Sequence, residues 1–186
     1  MKKLILIFII FLAGCASTKI SSFKDPVGPP VQYKRIFVVA VIPDVDGRKY
    51  LEHKVCDELE KLGYTGVPSI EYILPTRQYT AEDVNKIIAD TKVDGVLLLE
   101  LSGNEEKMRS TFRPVYNPSK EKYEYVSGFY NQPYLYFKMQ LLDVRENRTI
   151  WTATSETKGN KYADRDDLLN SLSESTIESL KKDGVL

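Results

Sequence analysis

The residues that could do chemistry in this chain are few, and their spacing matches no common catalytic site. His53 is the only histidine among 186 residues, so a zinc site or a Ser-His-Asp triad would have to be built around it. Acid pairs such as Glu105-Glu106 and Asp166-Asp167 are neighbours in the chain, which does not make them an acid/base pair. We therefore predict a protein that is not an enzyme, with no catalytic residues, no metal and no cofactor, and with His53 at the surface.

The acidic turn Asp44-Val45-Asp46-Gly47 invites comparison with a calcium-binding loop. With Gly47 at the sixth position of such a loop, Ile42 would stand first and His53 twelfth, and neither is an adequate ligand. We predict instead that Asp46 caps the helix that follows. The chain has 26 basic and 26 acidic side chains, so it lacks the excess of cations that nucleic-acid binding requires.

Cys15 is the residue for which the sequence predicts a definite modification. Lys2 and Lys3 precede an unbroken apolar run, Leu4–Leu12, and Ala13-Gly14-Cys15 follows at once. This order is typical of a secretory signal and resembles the signal of bacterial lipoproteins. The alternative is a membrane-spanning helix, but the 13 residues from Leu4 to Ala16 make only about 20 Å of helix and a bilayer core is about 30 Å thick.

The resemblance to bacterial lipoproteins implies that Cys15 carries diacylglyceryl and acyl (palmitate-type) chains, with cleavage after Gly14. Ala16 follows the cysteine, and in the enterobacterial pattern this implies the outer membrane, facing the periplasm. We divide the chain into a signal peptide (1–14), a lipidated cysteine with a flexible Pro-rich tether (15–34) and a globular domain (35–186). Packing of the tether segment on the domain surface is the alternative.

The hydrophobic pattern after the tether predicts one α/β domain with a mixed sheet. Ile36–Ile42 and Gly95–Leu101 are continuous apolar runs, as in parallel strands buried on both faces. Helical spacing between them predicts a β-α-β-α-β start. Alternation over Tyr134–Val144 and Thr149–Lys158 predicts antiparallel strands, and Asp164–Lys182 predicts a C-terminal helix.

Four pieces of sequence carry a resemblance to a known fold: Ile36–Ile42, Gly95–Leu101, Leu142–Val144 leading into Ile150–Ala153, and the ending Leu180–Leu186. Their order resembles the N-terminal domain of the Tol-system translocation protein, variants of which occur in peptidoglycan-synthase activator and curli-secretion lipoproteins. More specifically, the chain resembles small bacterial envelope lipoproteins of unassigned function. The resemblance implies a fold and an envelope location, but no catalytic residues.

Residues 116–136 are unusually rich in tyrosine, with six of the chain's twelve. Interspersed Asn, Pro, Ser and Gly predict a long irregular loop, and such loops are often functional. Because tyrosine is enriched in interfaces, we predict partner binding here, through Tyr116, Tyr123, Tyr125, Phe129, Tyr130 and Tyr134. Two alternatives are a hairpin packed on the domain's own sheet and contact with glycan or membrane, since aromatic rings stack on sugars.

Taken together, these patterns predict a periplasmic adaptor or accessory factor of cell-envelope assembly. It would be anchored to the membrane through Cys15 and would bind an envelope protein. The alternative is a self-assembling structural component of a secretion or surface apparatus, which would be a homo-oligomer. Cys56 is predicted to be a part-buried small hydrophobe, the alternative being a disulfide between two copies.

Overall fold

The computed structural model describes residues 15–26 and 32–186. The predicted signal peptide and the middle of the predicted tether lie outside the described residues. The strands are β1 (Ala16–Lys24), β2 (Arg35–Val41), β3 (Thr65–Pro68), β4 (Gly95–Asn117), β5 (Lys122–Asp143) and β6 (Arg148–Gly159). The helices are α1 (Val45–Lys61), α2 (Ala81–Thr91) and α3 (Arg165–Lys182), with a short 3-10 turn at Ser69–Glu71.

The six strands form one mixed sheet in the order β1-β6-β5-β4-β2-β3. Strand β2 pairs in parallel with both β3 and β4, whereas β4, β5, β6 and β1 pair antiparallel in succession. This confirms the predicted mixed α/β sheet with its β-α-β-α-β start and C-terminal helix. Parallel pairing requires the crossover helices α1 and α2, because only antiparallel strands can be joined by a tight turn.

Helices cover the two faces of the sheet unequally. Ile36 and Val38 of β2 belong to the large core under α1 and α3, with Trp151 and Phe137 among its largest side chains. Phe37 points to the other face and packs in a second cluster with residues of α2. On that second face no helix in the described part of the chain packs over β5 and β6, and side chains such as Lys138, Gln140, Thr152 and Thr154 are exposed there.

The start of α1 differs from the sequence prediction by two residues. Asp44, and not Asp46, is the N-cap, and its side chain accepts a hydrogen bond of 2.9 Å from the Gly47 amide. The prediction of Asp46 is wrong because the helix begins at Val45, which places Gly47 three residues after Asp44, where a capping side chain finds its amide. Asp46 lies in the first turn, where a negative charge suits the helix dipole.

Strand β1 replaces much of the predicted flexible tether, so that prediction is wrong for residues 16–24. Ala16 pairs opposite Gly159 and Lys24 opposite Trp151, which makes the segment the edge strand of the sheet. Inward positions are taken mainly by small or polar residues, and the Thr18 hydroxyl bonds to Thr157 and Ser171 at 2.9 Å each. Part-buried and exposed side chains do alternate along the first part of β1. Because most of the part-buried ones are small or polar, a search for alternating apolar residues does not detect the strand.

Asp183, just after α3, ties the edge strand to the core. Its carboxylate accepts hydrogen bonds of 2.7 Å from the Ser22 hydroxyl and from the Trp151 indole. Burial alone would raise the pKa of Asp183, but these two hydrogen bonds, with Lys182 and Lys24 nearby, outweigh it and lower the pKa. The charged carboxylate is therefore the form that holds β1, β6 and the end of α3 together.

We predict that Asp183→Ala lowers the free energy of unfolding by about 1–3 kcal/mol, because the buried Trp151 indole loses its acceptor. Asp183→Asn keeps an acceptor and should cost less. Since the folded pKa is lowered, the contribution of the charge is complete above the unfolded pKa of about 4 and is lost as pH falls through the folded pKa. Urea unfolding between pH 7 and pH 3 should show wild type and Asp183→Asn converging. A difference independent of pH would contradict this.

Candidate functional site: a two-faced arm beside Cys15

A long hairpin extends beyond the rest of the sheet. From Lys107 opposite Gln132 to Asn117 opposite Lys122, strands β4 and β5 pair only with each other. We call residues 107–132 the arm. Its 11 residue pairs at about 3.4 Å each give a length of about 37 Å. The irregular loop predicted for residues 116–136 is therefore wrong, and so is the alternative of a hairpin folded onto the domain's own sheet.

The turn at the tip explains why the segment resembled a loop. The Asn117 side chain accepts a hydrogen bond of 3.1 Å from the Ser119 amide, and Glu121 takes a left-handed backbone conformation with φ 48°. The turn residues are loop-forming, but the strands that flank it alternate regularly. Phe112, Pro114 and Tyr116 before the turn and Tyr123 and Tyr125 after it were the signal for a hairpin.

One face of the arm is apolar and exposed. Register places six large side chains on it, namely Met108, Phe112, Tyr116, Tyr123, Tyr125 and Phe129. Their exposed fractions run from 49% at Tyr116 to 76% at Tyr125. Ser110, Pro114, Ser127 and Asn131 occupy the remaining positions, so this face has no charged side chain. We call these residues the apolar face.

The opposite face is polar and cationic. Lys107, Arg109 and Arg113 alternate along β4, opposite Gln132, Tyr130 and Val126 of β5. Arg109 donates to the Gln132 side chain at 3.0 Å and to the Tyr134 hydroxyl at 2.9 Å. This hydrogen bond to Tyr134 raises the pKa of Arg109, so the cation persists at any physiological pH. We call this the polar face, and it continues into the uncovered face of the sheet.

A compact cluster stiffens the base of the arm. The Lys107 ammonium lies 4.4 Å from the Tyr134 ring centroid and 2.7 Å from the Glu105 carboxylate. Hydrogen bonds to Glu105 and then to Tyr136 raise the pKa of Lys107, while Lys107 lowers the pKa of Glu105. The Tyr136 hydroxyl also donates to Glu105. The cluster holds the two strands in register where the support of the sheet ends.

The structure separates the predicted contact residues into three environments. Tyr116, Tyr123, Tyr125 and Phe129 lie on the apolar face, and Tyr130 lies on the polar face. Tyr134 is only 5% exposed, and its ring braces the arm at its base. Sequence reasoning missed Met108 and Phe112, which complete the apolar face from the other strand.

A cleft lies at the base of the arm on the side of the apolar face. It encloses about 320 Å³ and is lined by residues that include Leu101, Leu135, Phe137 and Leu169. An ion pair between Asp44 and Arg165 stands at its rim. The apolar lining offers packing contacts and few groups that could do chemistry.

Cys15 lies at the end of the sheet from which the arm projects. The Asn160 amide donates to the Cys15 carbonyl at 2.8 Å, and Ala16 is opposite Gly159. Gln132, in the first pair of the arm, donates to the Gly159 carbonyl at 2.7 Å. Since β1 runs away from the arm, Cys15, just before its first residue, is at the edge of the domain on the arm's side and is part-buried there.

The other candidate residues have structural surroundings. Glu106 accepts from Asn131, and Asp167 belongs to the capping box of α3, so neither acid pair forms a shared site. His53 is part-exposed on α1. Among residues 15–26 and 32–186, no three metal-binding side chains converge. No helix of this part is both long and apolar enough to cross a bilayer.

Cys56 is buried against β3. It is 5% exposed, and a Cβ at Gly66 would lie 2.6 Å from its Cα, so strand and helix backbones are in close contact. Burial, with nearby acids such as Glu52, raises the pKa of the thiol to about 12. We predict that Cys56 reacts with Ellman's reagent at least 100-fold more slowly in the folded protein than in urea, because the thiolate is scarce and inaccessible. Fast reaction without urea would contradict this.

Comparison with known proteins shows the fold. No protein-family model and no curated protein sequence matches this chain. Two solved structures of the PelC dodecamer from Paraburkholderia phytofirmans, the second a substituted version, are each 15% identical, with TM-scores of 0.53 and 0.54. The two matches cover 88% and 87% of this chain, and 96% and 98% of the respective PelC chains. The structure of lipoprotein GNA1162 from Neisseria meningitidis is 18% identical, with a TM-score of 0.44. The match covers 80% of this chain and 99% of the GNA1162 chain. The chain thus shares the fold of PelC, and the Tol-type resemblance stays a prediction.

Proposed function

We propose that this chain is a lipid-anchored lipoprotein of the outer membrane that works without catalysis, as an accessory factor of cell-envelope assembly. In this proposal Cys15 holds the domain at the periplasmic surface and the arm is the docking element. The observation that carries it is the placement of an exposed 11-pair arm at the same end of the sheet as Cys15.

The polar groups of the domain support a role in binding. Its two fully buried carboxylates have hydrogen-bond partners inside the fold. Glu52 accepts from the Ala40 amide and the Ser69 hydroxyl, and Asp143 accepts from the Arg145 side chain. The polar face of the arm instead presents tyrosine and arginine side chains, which are enriched among the residues that dominate protein interfaces. We assign the envelope protein partner to this face.

Photocrosslinking in cells tests the adaptor role. A photoreactive amino acid replaces Tyr130 on the polar face, and the matched control replaces Lys86, an exposed residue of α2 on the far side of the sheet from α1. We expect a discrete adduct with another envelope protein from position 130 and none from position 86. An adduct only with itself would favour self-assembly, and the absence of any adduct would overturn the adaptor role.

A second candidate function is a self-assembling structural component. The observation in its favour is that the two matched PelC structures are described as dodecamers. Native mass spectrometry of the lipidated protein in detergent, across a 100-fold range of concentration, tests it. A discrete higher mass that persists on dilution would support a homo-oligomer, whereas a monomer throughout would remove this candidate.

A further inference from the structure

The apolar face of the arm is larger than folded proteins usually leave uncovered. Its five aromatic side chains are 49–76% exposed, and at about 150–250 Å² per ring this leaves roughly 600 Å² of aromatic surface. Contiguous exposed patches of this size mark interaction sites. The face has no charged side chain, so the surface that binds it does not need charged groups to pair with it.

The position of Cys15 identifies the surface that the apolar face meets. Acyl chains on Cys15 would enter the bilayer on the side toward which the arm projects, because Ala16 pairs with Gly159 at the arm's base. An arm about 37 Å long that projects from the same end of the sheet as Cys15 is within reach of that membrane surface.

The composition of the arm suits an interfacial position. The arm, residues 107–132, carries five cationic and only two acidic side chains, in a chain whose net charge is zero. Amphipathic elements with apolar side chains on one face and cations on the other bind anionic bilayers at the headgroup level, where tyrosine is also enriched.

The backbone of the arm confines it to that level. Beyond the end of β6, both edges of the two-stranded arm lack a further strand in the described part of the chain. Unpaired amide and carbonyl groups are costly in hydrocarbon but can bond to water and headgroups at the interface.

We infer that the apolar face of the arm binds the surface of an anionic phospholipid bilayer. This inference rests on the lipid anchor of the proposed function, and it names the surface that the arm meets. It leaves the polar face, with Tyr130, turned toward the periplasm for a protein partner. The anchor and the arm would then fix the orientation of the domain on the membrane.

Tryptophan scanning with brominated lipids tests the inference. Phe129→Trp places the probe on the apolar face, and Tyr130→Trp, the next residue, places it on the polar face. The lipidated protein is reconstituted in phosphatidylethanolamine and phosphatidylglycerol vesicles with bromine on the acyl chains. Trp151 is the only native tryptophan and is 1% exposed, so wild type supplies the unquenched reference.

We expect the added emission of Phe129→Trp to be quenched at least twofold more than that of Tyr130→Trp. Phe112→Trp and Arg113→Trp repeat the comparison on β4, should a β5 variant fold poorly. Vesicle flotation is measured in parallel to report the anchor. If the protein floats but tryptophan at positions 112 and 129 is not quenched, as when a second copy covers the apolar face, the inference is overturned and the proposed anchor is not. Protein that does not float overturns the proposed anchor.

Discussion

Glu52→Ala is expected to lower the free energy of unfolding by about 3–5 kcal/mol, because it removes the buried carboxylate of an ion pair and leaves Arg48 and the other donors around it without their acceptor. Glu52 is 0% exposed, and its carboxylate accepts from the Ala40 amide at 3.0 Å and the Ile70 amide at 2.6 Å. It also accepts from the Ser69 hydroxyl at 2.7 Å and from Arg48 at 2.9 Å. One side chain of α1 therefore holds β2 and the turn after β3 together.

Urea unfolding followed by circular dichroism measures the effect. Glu60→Ala is the matched control, because Glu60 is an exposed residue of the same helix and such substitutions change stability by less than about 0.5 kcal/mol. Glu52→Gln keeps the size of the side chain but directs an amide NH2 group at donors. We therefore expect it to lower the free energy of unfolding by more than Glu60→Ala and by less than Glu52→Ala. A loss below about 1 kcal/mol for Glu52→Ala would contradict the structural role that we assign to this carboxylate.

Cys15→Ser is expected to abolish lipidation completely. By the resemblance to lipoprotein signals, the thiol is the acceptor of the diacylglyceryl group and cleavage precedes it. Serine has no thiol to form the thioether, so the variant should incorporate no lipid and should retain residues 1–14. Growth with an alkyne-tagged palmitate followed by intact-mass measurement reports both changes.

The second cysteine supplies the control. Cys56 is 5% exposed in the core beneath β3, so Cys56→Ala should take up as much label as wild type and should have the mature mass. Label that remains in Cys15→Ser, or that disappears in Cys56→Ala, would refute the assignment of Cys15. This assay also tests lipidation independently of any membrane binding by the arm, because no arm residue changes in either variant.

Elements whose signal is local were predictable from the sequence. The apolar runs at Ile36–Ile42 and Gly95–Leu101 predicted buried parallel strands, and the structure has β2 and the first part of β4 there. The amphipathic stretch that begins at Asp164 predicted α3, and Asp164 is its N-cap. Each of these patterns lies within about 20 residues, where helix or strand periodicity and capping chemistry act.

The arm and the edge strand were beyond such reasoning, because long-range pairing decides them. Strand β1 pairs with β6 from the other end of the chain, and hydroxyl groups such as that of Thr18 carry its alternation. The tyrosine-rich segment was found by composition, but its division into two faces depends on the register that sets Phe112 opposite Ser127.

Local sequence patterns predicted a lipidated cysteine at position 15, the parallel core and a segment rich in aromatic side chains, because each of these signals lies in residues that are close together in the chain. Only the tertiary structure placed Cys15 at the base of the arm and sorted the aromatic residues by face. The physical reason is that strand pairing sets which distant residues are neighbours, and alternation along a paired strand then decides which side each residue faces.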